Sequence, residues 1–387
     1  MAEWIGIGRR ARRCYGFDEV ALAPGKVTIN PEEVEISWKL ADKEFPVPII
    51  AAAMDGVVDV KFAVEMSKLG GMAVLNLDGV QTRYDNPNEV LDEIANADPK
   101  ESTNLIQKIY TTPIKENLVA KRVEEIKKSG GYAAVSCIPN NAAKFGPIAQ
   151  EAGVDCFIVQ ATVISTNHVA TKYKSLNLSE FCSKIMKVPV ILGNCVTYEV
   201  ATELLETGCS GILVGVGPGA ACTTRGVLGI GVPQVTSTID CANARDIYFQ
   251  KTGRYVSIIT DGGMRRGGDV CKAFASGADA VMVGSTFAKT SEAPGRGFHW
   301  GMATSHSNLP RGTRIKVGIT GTVEQILFGP AVVDDGSQNL MGALATSMGS
   351  LGAKTIKDMH YTEMIIAPSI QTEGKLFQAT QNVGMCK

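Results

Sequence analysis

The sequence predicts an α/β protein built as a (β/α)8 TIM barrel, and three observations carry that expectation. Eight apolar runs of strand length follow one another, amphipathic helical stretches lie between them, and a glycine recurs where each helix hands over to the next strand. The runs are continuously hydrophobic rather than alternating, which suits parallel strands covered by helices. An open doubly wound sheet gives a similar local pattern, and the count of eight favours the barrel.

In chain order the strands are expected at residues 47–54, 71–75, 133–138, 156–160, 190–193, 211–215, 256–261 and 280–284. Helical segments are expected at 60–69, 198–206 and 270–275. Gly70, Gly130, Gly153, Gly208 and Gly277 each close an amphipathic stretch just before an apolar run, the signature of a left-handed helix cap. Residues 77–128 are polar and charged, with a loop at 96–100 and an exposed amphipathic helix at 119–128. This stretch reads as an elaboration of one βα connection. The expected organisation is a single catalytic domain over 1–387, with the elaborated connection at 77–132 and a flap and C-terminal segment at 286–387.

The chain has 387 residues, 45% hydrophobic and 20% charged, enough to bury a sizeable core. Its 38 Lys+Arg nearly balance 39 Asp+Glu for a net charge of -1, which argues against nucleic acid and anionic membranes as partners. No apolar run approaches the roughly 20 residues of a membrane span. The start, Met1-Ala2-Glu3-Trp4 followed by Arg9-Arg10-Ala11-Arg12-Arg13, lacks the apolar stretch of a secretory signal, so a cytoplasmic protein is expected. The 10 cysteines are scattered singly, without C-x-x-C or zinc spacing, which disfavours disulfides and structural zinc.

In a barrel of this kind, chemistry sits at the carboxyl ends of the strands. Those ends are Met54-Asp55, Asn76, Gln160, Asn194, the loop 215–231, Asp261-Gly262-Gly263 and Gly284-Ser285. Glycine pairs after strands seven and eight stand where such barrels hold a phosphate on backbone N–H groups. Either pair alone reads as a tight turn; two on adjacent strand ends favour phosphate. The loop Gly215-Val216-Gly217-Pro218-Gly219-Ala220-Ala221-Cys222-Thr223-Thr224-Arg225-Gly226 delivers Cys222 beside Arg225, and a thiol near a cation ionises more readily into a nucleophile. For Cys156, Cys182, Cys195, Cys209 and Cys271 the bland reading, a small buried apolar residue, holds. Thr224 is placed either to handle a proton beside the sulfur or to cap the following helix.

These residues give the chain a resemblance to the IMP dehydrogenase/GMP reductase family, from about Tyr15 to Gly374. The resemblance is carried by Tyr15-Gly16-Phe17-Asp18-Glu19-Val20, Ala52-Ala53-Met54-Asp55, Gly193-Asn194, the cysteine loop with Gly231-Val232-Pro233-Gln234, Asp261-Gly262-Gly263, and 277–285. Phe298-His299-Trp300-Gly301-Met302-Ala303-Thr304 and Leu309-Pro310-Arg311-Gly312 are most similar to the branch known as IMP dehydrogenase-related.

The resemblance implies a purine mononucleotide, GMP or IMP, attacked at C2 by Cys222 to form a thioimidate, with Thr224 as its proton-handling partner. Substrate contacts are implied at Met54, Asp261, Gly262, Gly263, Gly284, Ser285, Gly301, Met302 and Ala303. Cofactor contacts, with NADPH or, in a dehydrogenase, NAD, are implied at Gln160, Asn194, Gly215 and Gly217. Carbonyls of Gly217, Gly219 and Cys222 would bind a monovalent cation such as K+. The resemblance also implies a homotetramer or octamer.

Dehydrogenases of the family activate water with an Arg-Tyr pair on a flap. Here the region 301–318 holds Arg311 and Arg314 but no tyrosine, and the segment 77–132 is too short for the regulatory CBS modules. Both absences favour GMP reductase, the NADPH-dependent reductive deamination of GMP to IMP. IMP dehydrogenase and a purine-nucleotide-binding regulator without turnover are the alternatives. Three positions depart from the family pattern. Ser305 and His306 stand where reductases place a Glu that protonates ammonia, with His306, Glu292 and Glu324 as candidate replacements. Ala220 replaces a phosphate-binding Ser, and Gln160 replaces an Asp near the dinucleotide.

Overall fold

The computed structural model describes residues 2–171, 174–302, 314–381 and 383–384. Ala303 and the flap positions Ser305, His306 and Arg311 lie outside them. Eight parallel strands close into a barrel: β1 (Ile49–Ala51), β2 (Met72–Asn76), β3 (Ala134–Cys137), β4 (Cys156–Gln160), β5 (Val190–Cys195), β6 (Gly211–Val214), β7 (Ser257–Asp261) and β8 (Ala280–Val283). Each pairs with its neighbours in sequence, and β8 closes the ring on β1 through Val281↔Ile49 and Met282↔Ile50. This is the (β/α)8 architecture expected from the runs of apolar residues.

The strands are hydrophobic throughout because both faces are buried, but they still alternate. Ile50, Met72, Val74, Ala134, Cys156, Ile158, Ile191, Leu213, Ile259, Ala280 and Met282 point inward and pack on one another. Ile49, Ala51, Ala73, Leu75, Val135, Phe157, Val159, Ile212, Ile258 and Val281 point outward against the helices. The lower mouth is plugged by the hairpin Trp38–Leu40/Lys43–Phe45, whose Trp38, Leu40 and Phe45 join the inner cluster. Trp38 stacks on Phe45 at 5.2 Å, and Phe45 meets Tyr132 edge-on at 5.0 Å. The plug leaves the carboxyl ends of the strands as the open face.

The five cap glycines are left-handed, with φ of 87° at Gly70, 78° at Gly130, 87° at Gly153, 91° at Gly208 and 103° at Gly277. The helices before them are Val60–Lys68, Glu116–Lys128, Pro139–Glu151, Tyr198–Leu205 and Gly267–Ala275. The expectation of an exposed helix at 119–128 is corrected: it begins at Glu116 and buries Leu118, Val119, Arg122, Val123 and Ile126. It is the helix that joins β2 to β3, preceded by Pro87–Asn96 and Ser102–Ile109. Its lysine-rich outer face obscures the apolar stripe in the sequence. Among the described residues, no helix is long and apolar enough to cross a membrane.

Candidate active site

Continuing the inward alternation by two residues past the apolar layers brings polar side chains to the top of the barrel: Asn76 from β2, Ser136 from β3, Gln160 from β4 and Asp261 from β7. Asn194, near the end of β5, joins them. The Asp261 carboxylate accepts from Asn194 Nδ2 at 2.7 Å and Gln160 Nε2 at 3.0 Å, and Gln160 Nε2 also donates to Asn194 Oδ1 at 3.1 Å. Burial pushes the Asp261 carboxyl up to about 6 against these two donors, which favour the ionised form. Asn76 holds the β1 end by donating to the Ala53 carbonyl at 3.0 Å.

Above this floor lies a cavity of about 990 Å³, at the upper end of ligand-pocket size. Its walls hold every expected site residue that is described: Met54, Gln160, Asn194, Gly215, Gly217, Gly219, Cys222, Thr224, Asp261, Gly262, Gly263, Gly284, Ser285, Gly301 and Met302. The 15–20 motif also reaches it through Gly16, Phe17 and Asp18. It is anchored by Tyr15 N donating to Thr236 Oγ1 at 2.7 Å.

The loop after β6 carries Cys222 as the exposed thiol. The Cys222 N–H donates to the Gly219 carbonyl at 3.0 Å, closing a tight turn, and Sγ donates to Thr224 Oγ1 at 3.2 Å. Thr224 is buried at the first position of the helix Thr224–Leu228, and Thr223 is its cap residue. Thr224 is thus not the cap of this helix, and its hydroxyl lies beside the sulfur. Arg225 differs from its expected part. Its guanidinium donates to the carbonyls of Val216 at 3.2 Å and Val232 at 2.8 Å, so it braces the two ends of the loop. Its side chain lies against Gly217, where an added Cβ would stand 2.6 Å from Arg225 Cγ.

Gln234, buried at the start of the helix Gln234–Thr252, ties the strand ends together through Nε2. It donates to the carbonyls of Val214 and Asp261 at 3.1 Å each and Gly262 at 3.3 Å. Gly262 and Gly263 are successive left-handed residues, with φ of 80° and 84°. The Gly262 N–H donates to the Met282 carbonyl at 3.0 Å. Gly284 leaves room for Met54, whose Sδ would lie 2.8 Å from an added Cβ. Beyond Gln160 and Asn194 the cavity extends to Asp78, Arg83, Asn141, Thr162 and His168.

Asn76 and Ser136 line the cavity or its floor, as do Gln234 and His299; from sequence Asn76 is a strand end and Gln234 and His299 belong to motifs, none with a part in the site, and Ser136 is not singled out. The period-two register of the strands is the signal that finds the first two. Among the described residues no group of three or more His, Cys, Asp and Glu could hold a metal ion.

Fold and site together define a barrel enzyme that presents a thiol over a glycine-lined cavity. The chain belongs to the IMP dehydrogenase/GMP reductase family: that domain is matched over residues 14–375. It is an oxidoreductase of this family, which uses nicotinamide cofactors and binds purine mononucleotides such as IMP. An uncharacterized oxidoreductase of Mycobacterium tuberculosis is 37% identical over 363 residues, spanning 92% of this chain and 96% of its own. Inosine-5'-monophosphate dehydrogenase of Cryptosporidium parvum is 32% identical over 380 residues, 89% of each chain. The crystal structure of an IMP dehydrogenase/GMP reductase-like protein from Corynebacterium glutamicum superposes with a TM-score of 0.89 at 33% identity. It covers 95% of this chain and 98% of that one.

Proposed function

We propose that this chain works at C2 of a purine mononucleotide through a covalent adduct on Cys222. The observation that carries the reading is the exposed thiol, 3.2 Å from Thr224 Oγ1, over the one cavity that also holds Asp261 and the glycines after β7 and β8. Gly263, Gly284 and Ser285 take the phosphate, Asp261 accepts from the ribose hydroxyls, and Met54, Gly301 and Met302 wall the base. Asn194 and Gln160 bound the side from which the nicotinamide approaches C2, with Gly215 and Gly217 beside it. When bound, the nicotinamide takes hydride from C2 as NAD or supplies it as NADPH. A monovalent cation would rest on the carbonyls of Gly217, Gly219 and Cys222, sharing the Gly219 oxygen with the Cys222 N–H.

Two reactions share the Cys222 adduct. In IMP dehydrogenase, the sulfur adds to C2 of IMP, hydride is lost from C2, and water hydrolyses the thioimidate to XMP and free thiol. In GMP reductase, the sulfur displaces the 2-amino group as ammonia, C2 gains hydride, and the thiol leaves with IMP as product. The missing flap tyrosine favours the reductase, which needs no water-activating pair. Two observations weigh more heavily for the dehydrogenase. The Cryptosporidium parvum relative, matched over nearly its whole length, is an IMP dehydrogenase. Of the candidates to protonate ammonia, neither carboxylate lines the cavity: Glu292 accepts from Val323 N at 3.2 Å, at the start of the helix Val323–Phe328, and Glu324 is exposed on that helix, while His306 lies outside the described residues. We therefore place the dehydrogenase direction first and the reductase second.

The assay that decides follows reduced-nicotinamide absorbance with IMP plus NAD and with GMP plus NADPH. Formation with IMP and no consumption with GMP is the expected result. The reverse pattern establishes the reductase, and silence in both with nucleotide still bound establishes a binding protein without turnover.

Asp261 gives the binding step a pH dependence. Ribose hydroxyls donate to a carboxylate, and a carboxyl that ionises near 6 loses acceptor strength as pH falls through that value. The dissociation constant for IMP is expected to rise below about pH 6. Asp261→Asn, which cannot titrate, should bind more weakly at pH 7 and lose that acid limb, as isothermal titration calorimetry across pH will show.

A further inference from the structure

The connection between β2 and β3 carries two helices, Pro87–Asn96 and Ser102–Ile109, that line none of the cavity. They nevertheless share a small core of their own. Val80, Leu91, Ile94, Ile106 and Tyr110 pack into a buried cluster, and among the described residues the buried side chain that joins them from elsewhere is Trp300, with Met302 packed alongside. Gly301 and Met302 stand on the cavity wall. The segment 300–302 belongs to no helix or strand, so side-chain anchors must fix where that wall stands.

Tyr110 and Arg314 supply those anchors. The Tyr110 hydroxyl accepts from Trp300 Nε1 at 2.8 Å, donates to the Asp55 carboxylate and lies 3.4 Å from Met302 Sδ. A phenol has one proton to give, and a carboxylate accepts it more strongly than a thioether does. The proton therefore goes to Asp55, which fixes the hydroxyl and turns its lone pairs to the indole. Asp55, 0% exposed in the loop after β1, also accepts from Val80 N at 2.8 Å. One oxygen thus ties the β1 loop, the β2–β3 connection and the segment 300–302 together.

The second anchor reaches the same helices from the other side. The strand Phe298–His299, which leads into Trp300, pairs with Ile315–Lys316. Arg314, just before that partner strand, stacks on the Phe298 ring at 4.4 Å. Its guanidinium donates to the carbonyls of Ala95 and Ala97 at 2.9 Å each and to that of Ile94. These carbonyls end the helix Pro87–Asn96, where a cation is favoured. Arg296 adds an ion pair to Asp92 of that helix at 2.6 Å. We propose that Tyr110 is a positioning residue for the mononucleotide: its hydroxyl holds Trp300 and Met302 so that Gly301 and Met302 present a fixed wall to the base, while Arg314 secures the paired strand. This rests on the mononucleotide reading given above. Tyr110 is absent from the cavity lining, so it acts through Met302.

Calorimetric titration of the full chain with IMP and with GMP tests this. Tyr110→Phe keeps the ring and removes the oxygen, and the dissociation constant of the nucleotide that wild type binds should rise about tenfold. A partly unfolded sample lowers the binding stoichiometry and leaves that constant alone, so the two readouts separate positioning from a merely structural role. In turnover the change should appear in KM for the mononucleotide and not in KM for the nicotinamide. Because the effect passes through Met302, Tyr110→Phe added to Met302→Ala should weaken binding little beyond Met302→Ala alone, and additive losses overturn the inference. Should Tyr110→Phe fail to fold, Arg314→Gln at the second anchor decides: weaker mononucleotide binding supports the inference, and wild-type binding overturns it. A folded Tyr110→Phe that binds like wild type overturns it too and leaves the mononucleotide reading standing. Folded wild type that binds neither nucleotide sinks that reading and this inference with it.

Discussion

Replacing Cys222 with alanine is expected to lower turnover by about a thousandfold or more while leaving mononucleotide affinity within a few-fold. Binding is assigned to groups that the substitution leaves alone: the N–H groups at Gly263, Gly284 and Ser285, and the Asp261 carboxylate held by Asn194 and Gln160. The sulfur contributes only once it bonds to C2. No other described cysteine is placed to substitute for it. Cys137, Cys156, Cys209 and Cys241 are buried, and burial pushes the thiols of Cys182 and Cys271 to about 11 and that of Cys209 to about 12. Steady-state kinetics alone would not separate a lost nucleophile from a distorted loop. Intact mass spectrometry after quenching with substrate present does: wild type should carry one nucleotide-sized adduct that C222A lacks. Retained turnover in C222A would remove the covalent mechanism altogether.

The eight strands and their cap glycines were legible in the sequence because each rests on local chemistry, an apolar run ended by a residue that tolerates positive φ. What was not legible depends on pairings across the chain. Runs buried on both faces hide the period of two, so although Asn76, Gln160 and Asp261 read as polar strand ends, that they and Ser136 form one inward set emerges only when the barrel closes. Gln160 and Asp261 are 101 positions apart and meet because the closed ring brings β4 and β7, three strands apart, to the same mouth of the barrel. Arg225 shows the opposite failure. Its nearness to Cys222 in sequence suggested activation of the thiol, whereas the short helix Thr224–Leu228 turns its guanidinium towards Val216 and Val232. Three residues apart is a neighbour on a helix face but says little about a charge on a long, flexible stem. The residues around Glu116–Lys128 were misjudged because charge on the solvent face outweighed the apolar stripe.

Gly215→Ala is the substitution expected to damage fold and activity together. Gly215 sits at φ 146°, a conformation that an L side chain resists, and an added Cβ would lie 2.5 Å from the Asp261 carbonyl oxygen and 2.9 Å from Gln234 Nε2. Those two atoms are bonded to each other at 3.1 Å, in the bridge that ties the end of β6 to the end of β7. The methyl cannot be accommodated by one flexible side chain turning aside, since backbone of β7 is on the other side. Backbone strain plus a displaced buried amide together cost about 3 kcal/mol or more. The displacement acts on Asp261 and on the start of the cysteine loop at once, so a loss in kcat of about a hundredfold should accompany it. Gly219→Ala is the matched control: its φ is not in the left-handed region, and no atom lies within 4 Å of an added Cβ. Its denaturation midpoint should therefore stay at the wild-type value. Equal stability losses in the two variants would mean that the loop tolerates or resists side chains uniformly, and that the Gln234 bridge is not what fixes the position of Cys222 over the cavity.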